Sequence, residues 1–286
     1  MTIEYQRLKN WPFEDVVQRY TFKDSILYAL GVGLGENPVD PQELKFLYED
    51  GLKALPTIAV VLSRPGFWVR DPRSGVDWKK VLHGEQGLIL HRPLPPEGEV
   101  SARTKIYEIV DKGVGKGAIL HLVKTLDDAN TGTRLATVRS MLFLRGDGGC
   151  GSFGNVPIEA NALPEQTPSQ IKDIATLPQS ALIYRLSGDY NPIHADPEAA
   201  ARAGFERPIL HGLCTLGIAT RAVLEALADG MPDRLSSLSA RFSRPVFPGE
   251  TIRTELITTG DQLRFRSRVI ERDVIVLDRG TVVLRN

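Results

Sequence analysis

A chain of 286 residues, 42% hydrophobic and 24% charged, has the composition of an ordinary globular protein, with length for one large domain or two of about 140 residues. Its 35 Lys and Arg balance 35 Asp and Glu, and no run of like charge stands out, which argues against broad attraction to nucleic acid or an anionic membrane. No apolar run approaches the ~18 residues of a membrane span. Residues 1–20 lack the charged start and apolar core of a signal peptide, and the end Val283-Leu284-Arg285-Asn286 is not a peroxisomal Ser-Lys-Leu address. Cys150 and Cys214 are too few for a disulfide framework, so a cytoplasmic protein is expected.

In chain order, residues 24–38 carry Tyr28, Gly31, Gly33, Gly35 and then Asn37-Pro38. The apolar stretch from Leu55-Pro56-Thr57-Ile58-Ala59 is broken after Leu62 by Ser63-Arg64-Pro65-Gly66, and Pro72 follows, so the helix predicted there is short. Strands are predicted over 87–94, 99–110, 117–126 and 133–145, where Val, Ile, Leu and Thr predominate, with Gly113, Gly115, Gly117 and residues 127–132 as turns. From 146 to 178 the composition shifts to Gly and Pro, including Pro157 and Pro164, and 151–178 reads as a connector. Gly146 to Gly151 formally satisfies G-x-G-x-x-G. No helix pattern follows it and no βαβ unit surrounds it, so a glycine-rich bend is expected and not a dinucleotide site. Gly113 to Gly117, with Lys116, also lacks the upstream glycine and the Ser/Thr of a P-loop.

The second part repeats the first. Tyr184 matches Tyr28, Asn191-Pro192 matches Asn37-Pro38, Leu213 to Gly217 parallels Leu55 to Ala59, and Arg244-Pro245 to Glu250 parallels Arg92-Pro93 to Glu99. Matches in one order at nearly constant offset indicate an internal duplication. Strands follow over 235–247, 250–258, 262–271 and 274–285. Leu263, Phe265, Ser267 and Val269 alternate with Arg264, Arg266 and Arg268, the period of a sheet with one wet face. A helix followed by antiparallel strands, twice over, is an α+β pattern in which each sheet wraps a helix.

The chemistry concentrates between Tyr184 and Gly212. Asp189, Asn191 and His194 fall within six residues, with Pro192 stiffening the turn between them. A carboxylate and an imidazole held that close suit general acid–base work on a bound water. Asp196-Pro197-Glu198 reads as an N-cap, a first-turn proline and an acidic first turn of a short helix ending at Gly204. His211-Gly212-Leu213 opens a longer helix to about Ala228, whose free N–H groups and positive dipole end suit an oxyanion. One His beside one Asp is most often a satisfied surface pair; the whole phrase is far more specific. Cys214 reads as a small buried thiol, and His91 and His121 fall in strand patterns. His194, Asp196 and His211 match no recognised zinc spacing, and no metal is expected. The first copy, across Gly31 to Glu36, has no such acid–base pair.

Tyr184-Arg-Leu-Ser-Gly-Asp189-Tyr-Asn191-Pro-Ile-His194-Ala-Asp-Pro197, with Arg207-Pro-Ile-Leu-His-Gly212-Leu-Cys-Thr-Leu-Gly217, resembles the hydratase-2 motif of the MaoC-like (R)-specific enoyl-CoA hydratases. The resemblance covers most of the chain, and His83-Gly84-Glu85-Gln86 is similar to a phrase of the family's first half. A strand-entry turn and a substrate-side role are both open for that phrase. The resemblance implies a double hot-dog fold: a degenerate first domain (1–150) housing the acyl chain, the connector (151–178) and a catalytic second domain (179–286). It implies reversible hydration of a trans-2-enoyl-CoA to a (3R)-3-hydroxyacyl-CoA. Asp189 and His194 would work the water, Asn191 would fix the water or nearby backbone, and the Gly212 N–H would receive the thioester oxygen. Coenzyme A is then part of the substrate, with no separate cofactor, nucleic acid or membrane partner, and a homodimer is implied. Alternatives are a dehydratase of acyl-carrier-protein, short, branched or dicarboxylic thioesters, a hot-dog thioesterase, and a non-catalytic acyl-CoA-binding module. The gap left by the broken first helix either takes the acyl chain or is plugged by Phe67, Trp68 and Trp78.

Overall fold

The computed structural model describes residues 3–155, 163, 166–260 and 262–285. Short helices α1 (Tyr5–Lys9), α2 (Phe22–Gly31) and α3 (Pro41–Leu44) lie among the strands β1 (Val16–Tyr20), β2 (Val81–Leu90), β3 (Gly98–Asp111), β4 (Ala118–Asp128) and β5 (Arg134–Leu144). The second half brings β6 (Gln170–Ala175), α4 (Ser180–Tyr184), α5 (Pro197–Arg202), α6 (Gly212–Leu227), β7 (Leu235–Phe242), β8 (Thr251–Thr259), β9 (Gln262–Val269) and β10 (Val274–Leu284).

All ten strands pair antiparallel in one sheet of order β1-β3-β4-β5-β2-β7-β10-β9-β8-β6. The order is a palindrome if each strand of one half is matched to its counterpart in the other, and the seam is the β2–β7 pair, with Gly87 opposite Ser239 and Leu88 opposite Leu238. This is the expected α+β double hot-dog arrangement, and the duplicated sequence reappears as duplicated topology.

Alternation along the strands builds the core. On β9, Phe265, Ser267 and Val269 are fully buried while Arg264, Arg266 and Arg268 face outward, where Arg266 and Arg268 pair with Glu255. The sheet wraps α6, whose residues from Leu213 to Leu224 are all buried. Its counterpart in the first half is only a 3₁₀ turn, Pro56–Val60. The chain leaves that turn through Ser63, held in the left-handed region at φ 48, and the imino ring of Pro65 then prevents a helical restart.

Four elements go beyond the sequence reading. α1, β1, α3 and β6 were not expected, and β6 falls inside the stretch read as a connector. It pairs with β8 at the sheet edge and buries only Ile174, too little apolar patterning to announce a strand. The connector's Pro157 and Pro164 lie outside the described residues. β2 starts at Val81 rather than 87, and β7 ends at Phe242 rather than 247 because Pro245 and Pro248 stop the ladder. The glycine-rich stretch is a bend: Gly113, Gly149 and Gly151 donate their N–H groups to the Asp111 carboxylate at 2.8–2.9 Å.

Candidate active site

The loop after α4 is shaped by its own residues. Asn191 caps the turn Pro192–His194 by accepting the Ile193 N–H at 3.3 Å, and its own N–H donates to Asp189 Oδ1 at 3.3 Å. Asn191 is thus placed on the backbone of the loop. Asp196 caps α5 through the Glu198 N–H at 2.9 Å, as expected, and is directed to that task instead of to a site.

These turns deliver His194 into a buried position, where Nδ1 stands 2.8 Å from the Ile209 carbonyl. A carbonyl only accepts, so Nδ1 carries the proton and Nε2 keeps its lone pair. His211, fully buried, stacks on His194 with ring centroids 3.7 Å apart, and its Nε2 faces the Asp189 carbonyl at 3.1 Å. By the same logic Nε2 is protonated and Nδ1 is the free base; it finds no hydrogen-bond partner among the described residues. Burial lowers the pKa of His194, and burial with the neighbouring His194 brings His211 down to about 3. Both rings are neutral at pH 7.

Asp189 is ionised. Burial pushes its carboxyl upward, but the Arg64 guanidinium, with smaller help from His211, outweighs burial and brings the pKa down to about 2. Arg64 Nη1 lies 3.0 Å from Asp189 Oδ2; the contact is ionic rather than an aligned hydrogen bond, since Nη1 makes none of good geometry. His83 of β2 lies half-buried beside them with its Nε2 enclosed, edge-on to Phe242 at 5.0 Å, and desolvation with the Arg64 charge lowers it to about 4.

α6 begins at this point. Its N-cap, His211, has extended backbone angles and makes no side-chain cap, so the N–H of Gly212 opens the helix without a protein side chain bonded to it. A Cβ on Gly212 would come within 3.2 Å of the Phe242 ring, which explains the glycine by close approach rather than by an unusual φ. Cys214, one turn into the helix, is buried with its Sγ on the Gly31 carbonyl at 3.3 Å; burial raises its pKa and makes it a packing thiol.

Of the sequence-predicted residues, Asp189 and His194 come together with His211, the residue before Gly212, while Asn191 shapes the loop that carries them. The sequence reading does not find Arg64; it takes His211 as the helix entry and as a rejected zinc-ligand candidate, and it leaves two readings open for His83. Arg64 carried no motif: its only signal was its place at the helix break, in the half without an acid–base pair. The metal question also changes, because Asp189, not Asp196, joins His194 and His211, their ligand atoms lying within 4.8 Å of one another. The Arg64 cation already neutralises Asp189, so this donor set fits acid–base chemistry better than a divalent ion.

A cavity of about 340 Å³ adjoins the loop between the halves, lined on one side by Leu27, Ile58, Val61 and Leu62 and on the other by Arg64, Ser187, Gly188 and Tyr190. The aromatics that could have plugged the gap pack elsewhere. Trp68 meets Trp11 and Phe13 at 5.4 and 5.3 Å, and Phe67 meets Trp78 at 5.9 Å. Trp68 and Trp78 join a second core around Ile3, Leu8 and Ile109. A larger depression, about 640 Å³ beside α1, is lined by Glu4, Arg7, Trp11 and Arg73 and lies among none of the site residues.

Fold and site together define a tandem hot-dog protein with an acid–base loop in one of its two copies. Residues 18–146 match the family pattern of the MFE-2 hydratase 2 N-terminal domain, and residues 159–279 match that of the MaoC like domain. The chain is 39% identical to peroxisomal enoyl-CoA hydratase 2 of Arabidopsis thaliana, over 91% of this chain and 89% of that protein. It is 40% identical to 3-hydroxyacyl-thioester dehydratase Y of Mycobacterium tuberculosis, over 94% of each. The crystal structure of a MaoC-like dehydratase from Phytophthora capsici superposes with a TM-score of 0.87 at 34% identity, over 99% of both chains. The chain belongs to the MaoC-like hydratase-2 family.

Proposed function

We propose that this protein catalyses the reversible hydration of trans-2-enoyl-CoA to (3R)-3-hydroxyacyl-CoA. The observation that carries the reading is the Asp189 carboxylate beside a His194 whose Nε2 lone pair is free, next to the uncapped start of α6. The thioester carbonyl polarises the C2=C3 bond, and a water held by Asp189 and His194 adds its oxygen to C3. The pair accepts one water proton and returns a proton to C2, so the net change is addition of H2O across the double bond. Charge collecting on the thioester oxygen meets the Gly212 N–H. No metal or separate cofactor has a step in this reading.

The finer assignments belong to the same proposal. The second half (179–286) carries the chemistry, and the first half (1–150) supplies a wall and the cavity for the acyl chain. A homodimer and a cytoplasmic location complete the reading, open to light scattering and to fractionation. Among the described residues no helix is long and apolar enough to cross a membrane. The decisive experiment is loss of enoyl-thioester absorbance with crotonyl-CoA, followed by chiral analysis. An R alcohol is expected; a dominant S alcohol, or release of free thiol instead of hydration, overturns the assignment.

A further inference from the structure

The first half has no acid–base loop, yet its Arg64 stands in the site against Asp189. How Arg64 is held there involves a side chain out of keeping with its surroundings. On β4 the inward positions Ala118, Leu120, Leu122 and Leu126 are buried and apolar, and Lys124 occupies the same row, 6% exposed. Its ammonium donates to the carbonyls of Ala59 at 3.1 Å, Val60 at 3.3 Å and Leu62. These are carbonyls that a full-length helix would have bonded to its next turn and that the broken helix leaves open. In the protonated form three donors meet three acceptors, and no carboxylate pairs with Lys124 among the described residues. The next residue, Ser63, turns left-handed and donates its N–H to Gln18 Oε1 at 2.5 Å; Arg64 follows.

We infer that Arg64 is a positioning residue for Asp189, presented by a loop that the buried Lys124 clamps through the carbonyls of the broken helix. The half without an acid–base pair thereby supplies the cation that keeps the other half's carboxylate ionised and oriented. Arg64 takes one carboxylate oxygen and the Asn191 N–H approaches the other, so the carboxylate plane is fixed while lone pairs remain for a water. Burial, and after it the Arg64 charge, bring the Lys124 pKa down to about 7. The catalytic consequence rests on the hydration reading; the ion pair and its clamp do not.

The test therefore has two readouts. Carboxyl-labelled aspartate, with Asp189 assigned by its loss in Asp189→Asn, reports the titration of Asp189 by NMR. The wild-type signal should stay ionised down to about pH 4, and Arg64→Ala should bring a titration into the range above it. Arg64→Lys should restore part of the shift. Lys124→Met and Gln18→Ala, which loosen the loop while leaving Arg64 in the chain, should move Asp189 in the same direction; Gln18→Ala serves if Lys124→Met does not fold. In parallel, kcat with crotonyl-CoA should fall roughly tenfold or more in Arg64→Ala with little change in KM, and Arg64→Lys should recover part of it. An Asp189 titration unchanged in Arg64→Ala overturns the pairing, and one unchanged in both loop variants overturns the clamp. Absence of hydration by the wild type would instead overturn the proposed function, with the titration still deciding the pair.

Discussion

His194 and His211 lie ring on ring, yet each gives a different nitrogen to the backbone, and that difference divides their work. His194 spends Nδ1 on the Ile209 carbonyl and keeps Nε2 as a base. His211 spends Nε2 on the Asp189 carbonyl, so its ring braces the backbone of the very residue whose carboxylate is the acid–base partner. Neutral rings over an ionised Asp189 leave the site wholly in its unprotonated form at pH 7. Asp189→Asn and His194→Ala should each lower kcat by about 10²–10⁴, the usual contribution of such groups. Both variants should still melt cooperatively, with Asp189→Asn near the wild type and His194→Ala lower because it empties a buried, hydrogen-bonded position. Near wild-type turnover in both variants, measured by enoyl absorbance, would remove them from the mechanism.

Among the elements, α6 and its truncated counterpart, the turn Pro56–Val60, carry two predictions. Proline is tolerated at the first position of a helix, and His211 already has the extended backbone that precedes a proline. Gly212→Pro should therefore keep the helix while deleting one N–H, lowering kcat by about 10²–10³. Gly212→Ala, which crowds Phe242 but keeps the N–H, is the control and should lose much less; equal losses would mean packing and not the donor is responsible. The cavity beside the 3₁₀ turn Pro56–Val60 makes a second prediction. Each buried CH₂ contributes about 0.8 kcal/mol, so kcat/KM should rise from C4 toward C10 enoyl-CoA. Leu27→Trp should remove that rise and spare C4, whereas a wild-type rate that collapses beyond C4 would show that the acyl chain goes elsewhere. These elements also mark what was legible in the sequence. Asp189, Asn191, His194 and Gly212 are neighbours along the chain, so their spacing exposed them, and the Pro65-Gly66 break was visible as a stop. Arg64 reaches the site only through the fold, and His83 was legible only within a phrase that a strand-entry turn explains equally well. β1 and β6 escaped because edge strands bury few side chains, Tyr20 and Ile174 being fully or nearly buried exceptions. The plug of Phe67, Trp68 and Trp78 could not be judged without the partners Trp11 and Phe13, which lie far back in the chain.

For the whole molecule, the site sets how the fold responds to acid. His83 and His211 are held neutral by burial, with pKa values of about 4 and about 3, and His194 is lowered in the same direction, against 6.5 for a free imidazole. Between those values the unfolded chain binds protons that the folded chain does not. Their contribution to stability is full above about pH 6.5 and is lost as pH falls toward the folded values. Thermal melts should accordingly drop between pH 7 and 4.5, and His83→Leu should flatten the slope; a slope unchanged in that variant would show that His83 is not among the groups responsible. The β2–β7 seam has a different consequence. Where two identical protomers meet about a twofold axis, any substitution occurs on both sides, and a gain at one site is repeated at its twin. Here the axis runs through a single chain, and the residues facing each other across it, such as Glu85 and Arg241, are encoded separately. One copy can thus carry Asp189 and His194 while the other presents Arg64 and His83 beside them, an asymmetry that exact symmetry forbids.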